Sequence, residues 1–509
     1  MKARVLALLV LSVTFGGGAA HAAQDRVLVY HLNGPVEPLD PAKSLNSLRA
    51  RRVMWPMFEA LVNLSRDSRT VVPELAESWE ASADGLTYVF RLRRGVKFHD
   101  GTPFNAAAVK LNLERNYVKG ARFYTADPPN VREDLLAGLV RDITIVDDHT
   151  IRIALKNPRM HLFFMVPLVS PDALAKHGRQ FGEHPVGTGP FKFLRGTAEE
   201  IRLGAYPEYW GGRPKIDQIA FKVLPSSEKT MQEFLAGKLD FLPEVEPTYL
   251  ERITANPATR LIRVPTLSLY YLGFRTDQKP FSDVRLRQAV RRAIDVERMI
   301  LFTSRGTGLA AFGPIPPGGE AHDVGLKKAQ YSPEAARQLL RASGQTELRL
   351  SLLFNAGWGF FAEMAQAIKA DLAKVGVGVE LVPLATYKDL VTEIRQGKGD
   401  MFMYSWFTVL PDADVWLGRL FPSNAVDNLT HYSNPQVDAL LEQARGIADP
   451  VPREAQYKRI QRIVVDDAPI VPLFHEIRVS AYNTRVVGLE LNAQSFPTDR
   501  FARIELRPE

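Results

Sequence analysis

The chain has 509 residues, 46% of them apolar and 24% charged, and no cysteine. That composition excludes a generally disordered chain, a disulfide framework, thiol catalysis and thiolate metal sites. The formal charge of +7 is scattered among acids, apart from Arg49, Arg51 and Arg52, which describes a solvated surface rather than a nucleic-acid or anionic-membrane face.

The N-terminus reads as a secretory signal over residues 1–23. Lys2 and Arg4 form a positive start, Val5 to Phe15 an apolar run, and Ala20-His21-Ala22 a small-x-small cleavage site. The apolar run is too short for a permanent span. No later stretch reaches spanning length without charges, and no cysteine is present for a lipid anchor. The expectation is a free periplasmic protein, with Lys2 and Arg4 removed and +5 remaining of the formal charge.

Val27 to Leu32 alternates as a short strand, and Gly34, Pro35 and Pro38 then interrupt the chain. Leu86, Tyr88, Phe90 and Leu92 alternate with Thr87, Val89 and Arg91 as a half-buried strand between the turn pairs Asp84-Gly85 and Arg94-Gly95. His99-Asp100 is read as a turn, because a metal pair would need a further ligand nearby. Ile143 to Val146 and Ile151 to Leu155 flank Asp147-Asp148-His149 as a hairpin. Val186 to Pro190 is glycine-rich but lacks the ending of a phosphate loop, and is read as guiding the chain between lobes.

From Tyr271 onward helices alternate with strands. Leu286, Ala289, Val290, Ala293 and Ile294 form one helix face, opposite four arginines. Ser332-Pro333 opens a second helix that Gly344 closes. Met364, Ala367, Ile368, Leu372 and Val375 mark a third, ended by Gly376. Leu348 to Phe354, Val377 to Leu381 and Met401 to Trp406 read as strands, with a helix over Tyr387 to Ile394. This pattern predicts an α/β lobe with a largely parallel sheet.

Leu75 to Val109 (LAESWEASADGLTYVFRLRRGVKFHDGTPFNAAAV) closely resembles the signature of the family 5 extracellular solute-binding proteins. Val186 to Phe193 (VGTGPFKF), Tyr209 to Pro225, Tyr271 to Ile300 and Tyr432 to Phe474 resemble further landmarks in the same order. These proteins are the peptide, glutathione and nickel receptors of bacterial ABC importers. The resemblance implies an α/β fold of two lobes joined by a hinge of crossing strands, with an extra domain on the N-terminal side. Carried onto this chain, the first lobe comprises 24–55, 185–268 and 479–509. The extra domain is 56–184 and the second lobe 269–478.

In open α/β sheets, ligands sit outside the carboxyl ends of strands. Trp406 ends such a strand, so Trp406, Phe407 and Thr408 are site candidates, as is Asn355 at the end of Leu348 to Phe354. Trp358 follows as a cleft or packing residue. By resemblance, the segment after Leu39-Asp40-Pro41 adds Ser44 and Asn46. Peptide receptors of the family carry a tryptophan where Trp406 stands and, three residues on, an aspartate for the ligand ammonium. Here that residue is Val409. Asp412 or Asp414 could replace it, or could simply cap the helix near Val415.

The implied function is the substrate-binding component of an ABC importer. It captures a short peptide or peptide-like solute by hinge closure and delivers it to the inner-membrane permease. A nickel chelate, haem, opine or oligosaccharide is the alternative ligand, and a secreted hydrolase the remote alternative. No catalytic residue, cofactor, bound metal or nucleic-acid partner is expected, and the protein is expected to be a monomer.

Overall fold

The computed structural model describes residues 26–507, apart from 45–46, 66–69, 125–135, 137, 158–165, 225, 304–305, 327–330, 346, 358 and 409. The signal segment and the expectations for Asn46, Trp358 and Val409 therefore lie outside the described residues.

One twelve-stranded sheet runs through the molecule. Its path is Val377–Leu384, Leu348–Asn355, Met401–Phe407, Ser268–Phe274, Ile470–Asn483, Phe241–Leu242, Val27–Leu32, Gln218–Val223, Glu200–Ala205 and Phe191–Gly196. Thr259–Pro265 and Gly308–Ala310 pair with Ile470–Asn483 off that path. The joint between the two halves is Ile470–Asn483 itself. Its fourteen residues extend for roughly 45 Å at about 3.3 Å each. The N-terminal part pairs with Ser268–Phe274 in one half, and the C-terminal part with Phe241–Leu242 and Thr259–Pro265 in the other.

The chain crosses in the opposite direction between Pro265 and Ser268. At this point side chains replace part of the ladder. The Thr266 amide donates to the Glu476 carbonyl at 2.8 Å, and the Glu476 amide to Ser268 Oγ at 2.9 Å. His475 Nδ1–H donates to the Ser268 carbonyl at 2.7 Å. Two antiparallel crossings placed side by side are a hinge, since only a few residues need change their dihedrals for the halves to rotate.

Each half has its own apolar core. Tyr30, Phe181, Phe191, Phe221 and Ile219 fill the first. The second half is covered on both faces of its sheet, by Leu286, Phe361 and Ile368 on one side and Trp416, Leu441 and Tyr457 on the other. A separate antiparallel sheet, in the order Ala76–Ala81, Thr87–Leu92, Thr150–Leu155 and Val140–Asp147, packs with the helix Ala106–Glu114 around Phe90, Phe98, Phe104 and Ile151. Among the described residues no helix is long and apolar enough to cross a membrane.

The expected elements are present: the helices Val284–Ala293, Pro333–Ala342, Gly359–Ala373 and Tyr387–Arg395, and the hairpin Val140–Asp147/Thr150–Leu155. Ser332 caps its helix by accepting from the Ala335 amide, as the sequence suggests. Two expectations need correction. The second half is not largely parallel. Leu348–Asn355 is parallel to both neighbours, but Ser268–Phe274 is antiparallel to both of its own. The reason is the hinge, whose two crossings must run in opposite senses.

The glycine segment 186–190 does not pass between the two halves. It lies between the four-stranded unit and the first half, where a Cβ on Gly187 would sit 2.1 Å from the Met57 carbonyl oxygen. His99 staples this segment, its Nε2–H donating to the Gly189 carbonyl at 2.9 Å and its Nδ1 accepting from the Gly187 amide at 3.3 Å.

Candidate functional site

The strands Val27–Leu32, Gln218–Val223 and Phe241–Leu242 are parallel, so their carboxyl ends open on one edge of the first half. Glu244 follows the last of them. It receives Arg52 Nη2 at 2.8 Å, Asn33 Nδ2 at 3.3 Å and Arg478 at 3.6 Å. The helix Leu48–Met54 places the arginines. Ser47 caps it, accepting from the Ala50 amide at 3.2 Å and donating to Glu37 at 2.5 Å. Adjacent residues on a helix point about 100° apart. Arg52 therefore turns into the interior, 1% exposed, while Arg51 stays half-buried. Arg51 Nη2 donates to the Gln494 side-chain oxygen, and its guanidinium lies 5.0 Å from the Phe496 ring centre.

Charge is unbalanced along this wall. Arg51, Arg52 and Arg478 stand with two carboxylates, Glu244 and Glu476; Arg478 reaches Glu476 at 3.5 Å. Burial and the neighbouring Arg478 and Arg52 push Arg51 down to about 9. Burial, with Arg52 close by, lowers His31 to about 4. Arg52 Nε and Nη1, Arg478 Nε, His31 Nδ1 and the Tyr30 hydroxyl are buried without a hydrogen-bond partner among the described residues.

The hinge joins this wall to the other half. Tyr270 stacks on Phe474 at 4.2 Å and meets Phe407 edge-on at 5.4 Å. Burial raises the Tyr270 phenol well above its ordinary value, and the charges of Glu476, Arg478 and Glu244 act on it too. Phe407, 45% exposed at the end of Met401–Phe407, is thus linked through Tyr270 to the arginine wall.

The other expected residues are placed as follows. Trp406 is half-buried against the second half's core, and its Nε1 donates to the Val415 carbonyl at 3.1 Å. The Thr408 amide donates to the Leu267 carbonyl at 3.1 Å, which ties the loop to the hinge, and its hydroxyl accepts from the Leu410 amide at 3.0 Å. Asn355 is buried and accepts from the Gly357 amide at 2.8 Å. Ser44 is buried in the short helix Pro41–Ser44, with its hydroxyl turned back on the Pro38 carbonyl at 2.5 Å.

Asp412 is 3% exposed; it accepts from Arg453 Nη2 at 2.9 Å and caps the turn Ala413–Val415 through the Asp414 amide. Arg453 also bonds Glu320, and Asp414 pairs with Arg445 at 2.9 Å. Phe407 and Thr408 therefore come together at the hinge, whereas the carboxylates of Asp412 and Asp414 face structural cations. Leu410 is buried in the apolar core of the four-stranded unit, so the loop after Phe407 bridges to that unit. The arginine wall was missed from sequence, although the run Arg49–Arg52 was its one visible sign.

Residues 70–428 match the model of bacterial extracellular solute-binding proteins, family 5. Di/tripeptide-binding protein 2 of Pseudomonas aeruginosa is 28% identical, covering 97% of this chain and 98% of its own. The glutathione-binding protein GsiB of Shigella flexneri is 30% identical over 95% of each. Heme-binding protein A of Haemophilus influenzae is 30% identical over 92% of this chain and 90% of its own. Among solved structures, HbpA2 of Haemophilus parasuis superposes with a TM-score of 0.87 at 25% identity, covering 95% of this chain and all of that one. NikA of Brucella suis, in complex with Fe(III)-EDTA, gives 0.81 at 25% identity, with coverage of 95% and 100%. With its two lobes, its hinge and its added four-stranded domain, this chain belongs to the family 5 bacterial extracellular solute-binding proteins.

Proposed function

We propose that the protein is the periplasmic receptor of an ABC importer and takes a short peptide or peptide-like solute, glutathione included, into the cleft between its lobes. The observation that carries this reading is the hinge. Two antiparallel crossings join the lobes, and at that joint Phe407 stands 45% exposed on the edge of the buried Tyr270–Phe474 stack, beside charged groups of both signs. An aromatic surface suits an apolar side chain, and paired charges suit a zwitterion. The lobes divide as the resemblance implies, with 269–478 forming the second. Residues 1–23 serve as the signal that brings the chain to the periplasm, and the receptor works as a monomer with the permease subunits as partners. Nothing in this role requires covalent chemistry.

Closure is driven by contacts that exist only in the closed state. Leu410, which reaches from the loop after Phe407 into the core of the four-stranded domain, supports such a contact between the parts that close. The test is mass spectrometry of solute released from protein purified under native conditions, followed by calorimetry with the compound found. A peptide or glutathione supports the reading, and a co-purified sugar or metal chelate sinks it. A saturating true solute, at ~100 Kd, should stabilise the fold by about 2.7 kcal/mol. It should also shrink the radius of gyration, and unchanged scattering would rule out closure.

A further inference from the structure

The first lobe's wall is built around a cation that has no anion. Among the described residues, no carboxylate lies within ion-pair distance of Arg51. Its polar partner is the neutral Gln494 amide, and its guanidinium rests near the Phe496 ring. Glu244 is already held by Arg52 and Arg478, and Glu476 by Arg478. A guanidinium cannot shed its charge at physiological pH, and a half-buried charge without a counter-ion weighs against the ligand-free fold. A ring face and an amide oxygen stabilise Arg51 without neutralising it.

The surplus is one positive charge, and it sits where ligands enter an open α/β sheet, outside the carboxyl ends of Val27–Leu32 and Phe241–Leu242. Arg52 Nε and Nη1 and Arg478 Nε add buried donors that make no hydrogen bond within the described residues. A forked guanidinium matches a carboxylate through two parallel hydrogen bonds.

We propose that this wall holds a carboxylate of the bound solute, with Arg51 as its ion-pair partner. The proposal rests on the reading of the chain as a solute receptor. It adds a polarity to that reading: the acidic end of the solute lies against the first lobe at Arg51, and its apolar part on Phe407 and Tyr270 of the second. A neutral solute, or one whose acid is esterified, leaves Arg51 uncompensated and binds weakly.

The test uses ligand-free full-length mature protein and has two arms. In the first, Arg51 is labelled with phenylglyoxal and the rate is read by peptide mass spectrometry, with N-acetylglycinate, N-acetylglycinamide or chloride present at equal concentration. Slowing by N-acetylglycinate alone is expected. Equal rates in all three, or equal slowing by chloride, overturn the carboxylate subsite. This arm requires neither a variant nor knowledge of the natural solute. In the second, glutathione and trialanine are titrated as free acids and with every carboxyl converted to its amide into the wild type and Arg51→Gln. Loss of a charged hydrogen-bonded pair should weaken the acids roughly 10- to 100-fold in the variant and leave the amides unchanged. Acids and amides weakened equally would make Arg51 a packing residue and overturn the proposal, whereas Arg51→Lys should recover part of the acid's affinity. If N-acetylglycinate protects Arg51 while neither peptide binds the wild type, the subsite stands and the peptide reading falls.

Discussion

The two lobes treat charge in opposite ways. In the second lobe every buried ion near the loop after Phe407 has a counter-ion: Arg453 lies between Asp412 and Glu320, and Asp414 meets Arg445. In the first lobe three arginines share two carboxylates, and several of their donors are unmet among the described residues. A closed ion network fixes a loop in place, while an open one leaves capacity for a ligand. The largest expected effect follows from this difference. Arg453→Met would leave Asp412 and Glu320 buried without a cation and should cost about 3–5 kcal/mol in urea unfolding. Arg51→Met removes a half-buried charge that has no carboxylate within ion-pair distance among the described residues, and should leave the stability of the ligand-free protein unchanged or raise it by about 1 kcal/mol. Equal losses in the two variants would erase the distinction between the lobes.

A second effect sharpens it by separating the closed state from the fold. Leu410 projects from the second lobe into the core of the four-stranded domain, so its burial belongs to the arrangement in which the two meet. A core Leu→Ala change costs about 2–5 kcal/mol when the whole protein bears it. If only the closed state bears it, Leu410→Ala should weaken solute affinity roughly 10- to 100-fold, with the urea midpoint of the ligand-free protein nearly unchanged. A fallen midpoint with intact affinity would make Leu410 an ordinary core residue.

Beneath the first lobe lies another buried acid, and it gives a pH signature. Glu59 is 1% exposed and accepts from Thr188, Tyr209 and Trp210. Burial and the nearby Glu74 nonetheless push it up to about 7. A carboxyl whose folded value exceeds its unfolded one, about 4.5, stabilises fully below that lower value, and the contribution is lost as pH rises through about 7. The buried histidines act oppositely. His31, His99 and His475 are lowered to about 4 by burial, so their neutral forms stabilise above about 6.5 and that contribution is lost as pH falls toward 4. Glu59→Gln isolates the carboxyl. The difference in stability between wild type and variant should shift against the wild type between pH 4.5 and 7, and a flat difference would place Glu59 at its ordinary value.

Legibility followed periodicity. The hairpin, the helix Val284–Ala293 and the strand ending at Phe407 were readable because burial on one face writes a period of 2 or 3.6 into the chain. The capping alternative for Asp412 was readable because caps are local. The mixed sheet was not, since it depends on Ile470–Asn483 pairing with strands some 200 residues earlier. Nor was the arginine wall. Arg51 lies more than 400 residues before Arg478 and Gln494, and a charge run on a helix says nothing of whether its counter-ions are near. The family likeness located the second lobe's tryptophan, but a residue's separation from its partners is a property of the folded chain.

The smallest effect tests the aromatic floor. Trp406 and Phe407 are neighbours on one strand and face opposite ways, as the period of 2 requires. Trp406 packs on the second lobe's core and donates to the Val415 carbonyl, so Trp406→Ala should lower stability by about 2–3 kcal/mol, beyond any change in affinity. Phe407 is 45% exposed and meets only the edge of the Tyr270 arrangement, so little of the fold depends on it. An aromatic contact of this kind is worth about 0.5–1.5 kcal/mol. Phe407→Ala should therefore weaken solute binding by roughly 3- to 10-fold in calorimetry and leave the melting temperature of the ligand-free protein in place. Phe407→Leu keeps apolar area but loses the ring and should fall between. Should Trp406→Ala reduce affinity strongly with no cost in stability, while Phe407→Ala does neither, the cleft lies on the other face of Met401–Phe407 and the link from Phe407 through Tyr270 to Arg478 has no part in binding.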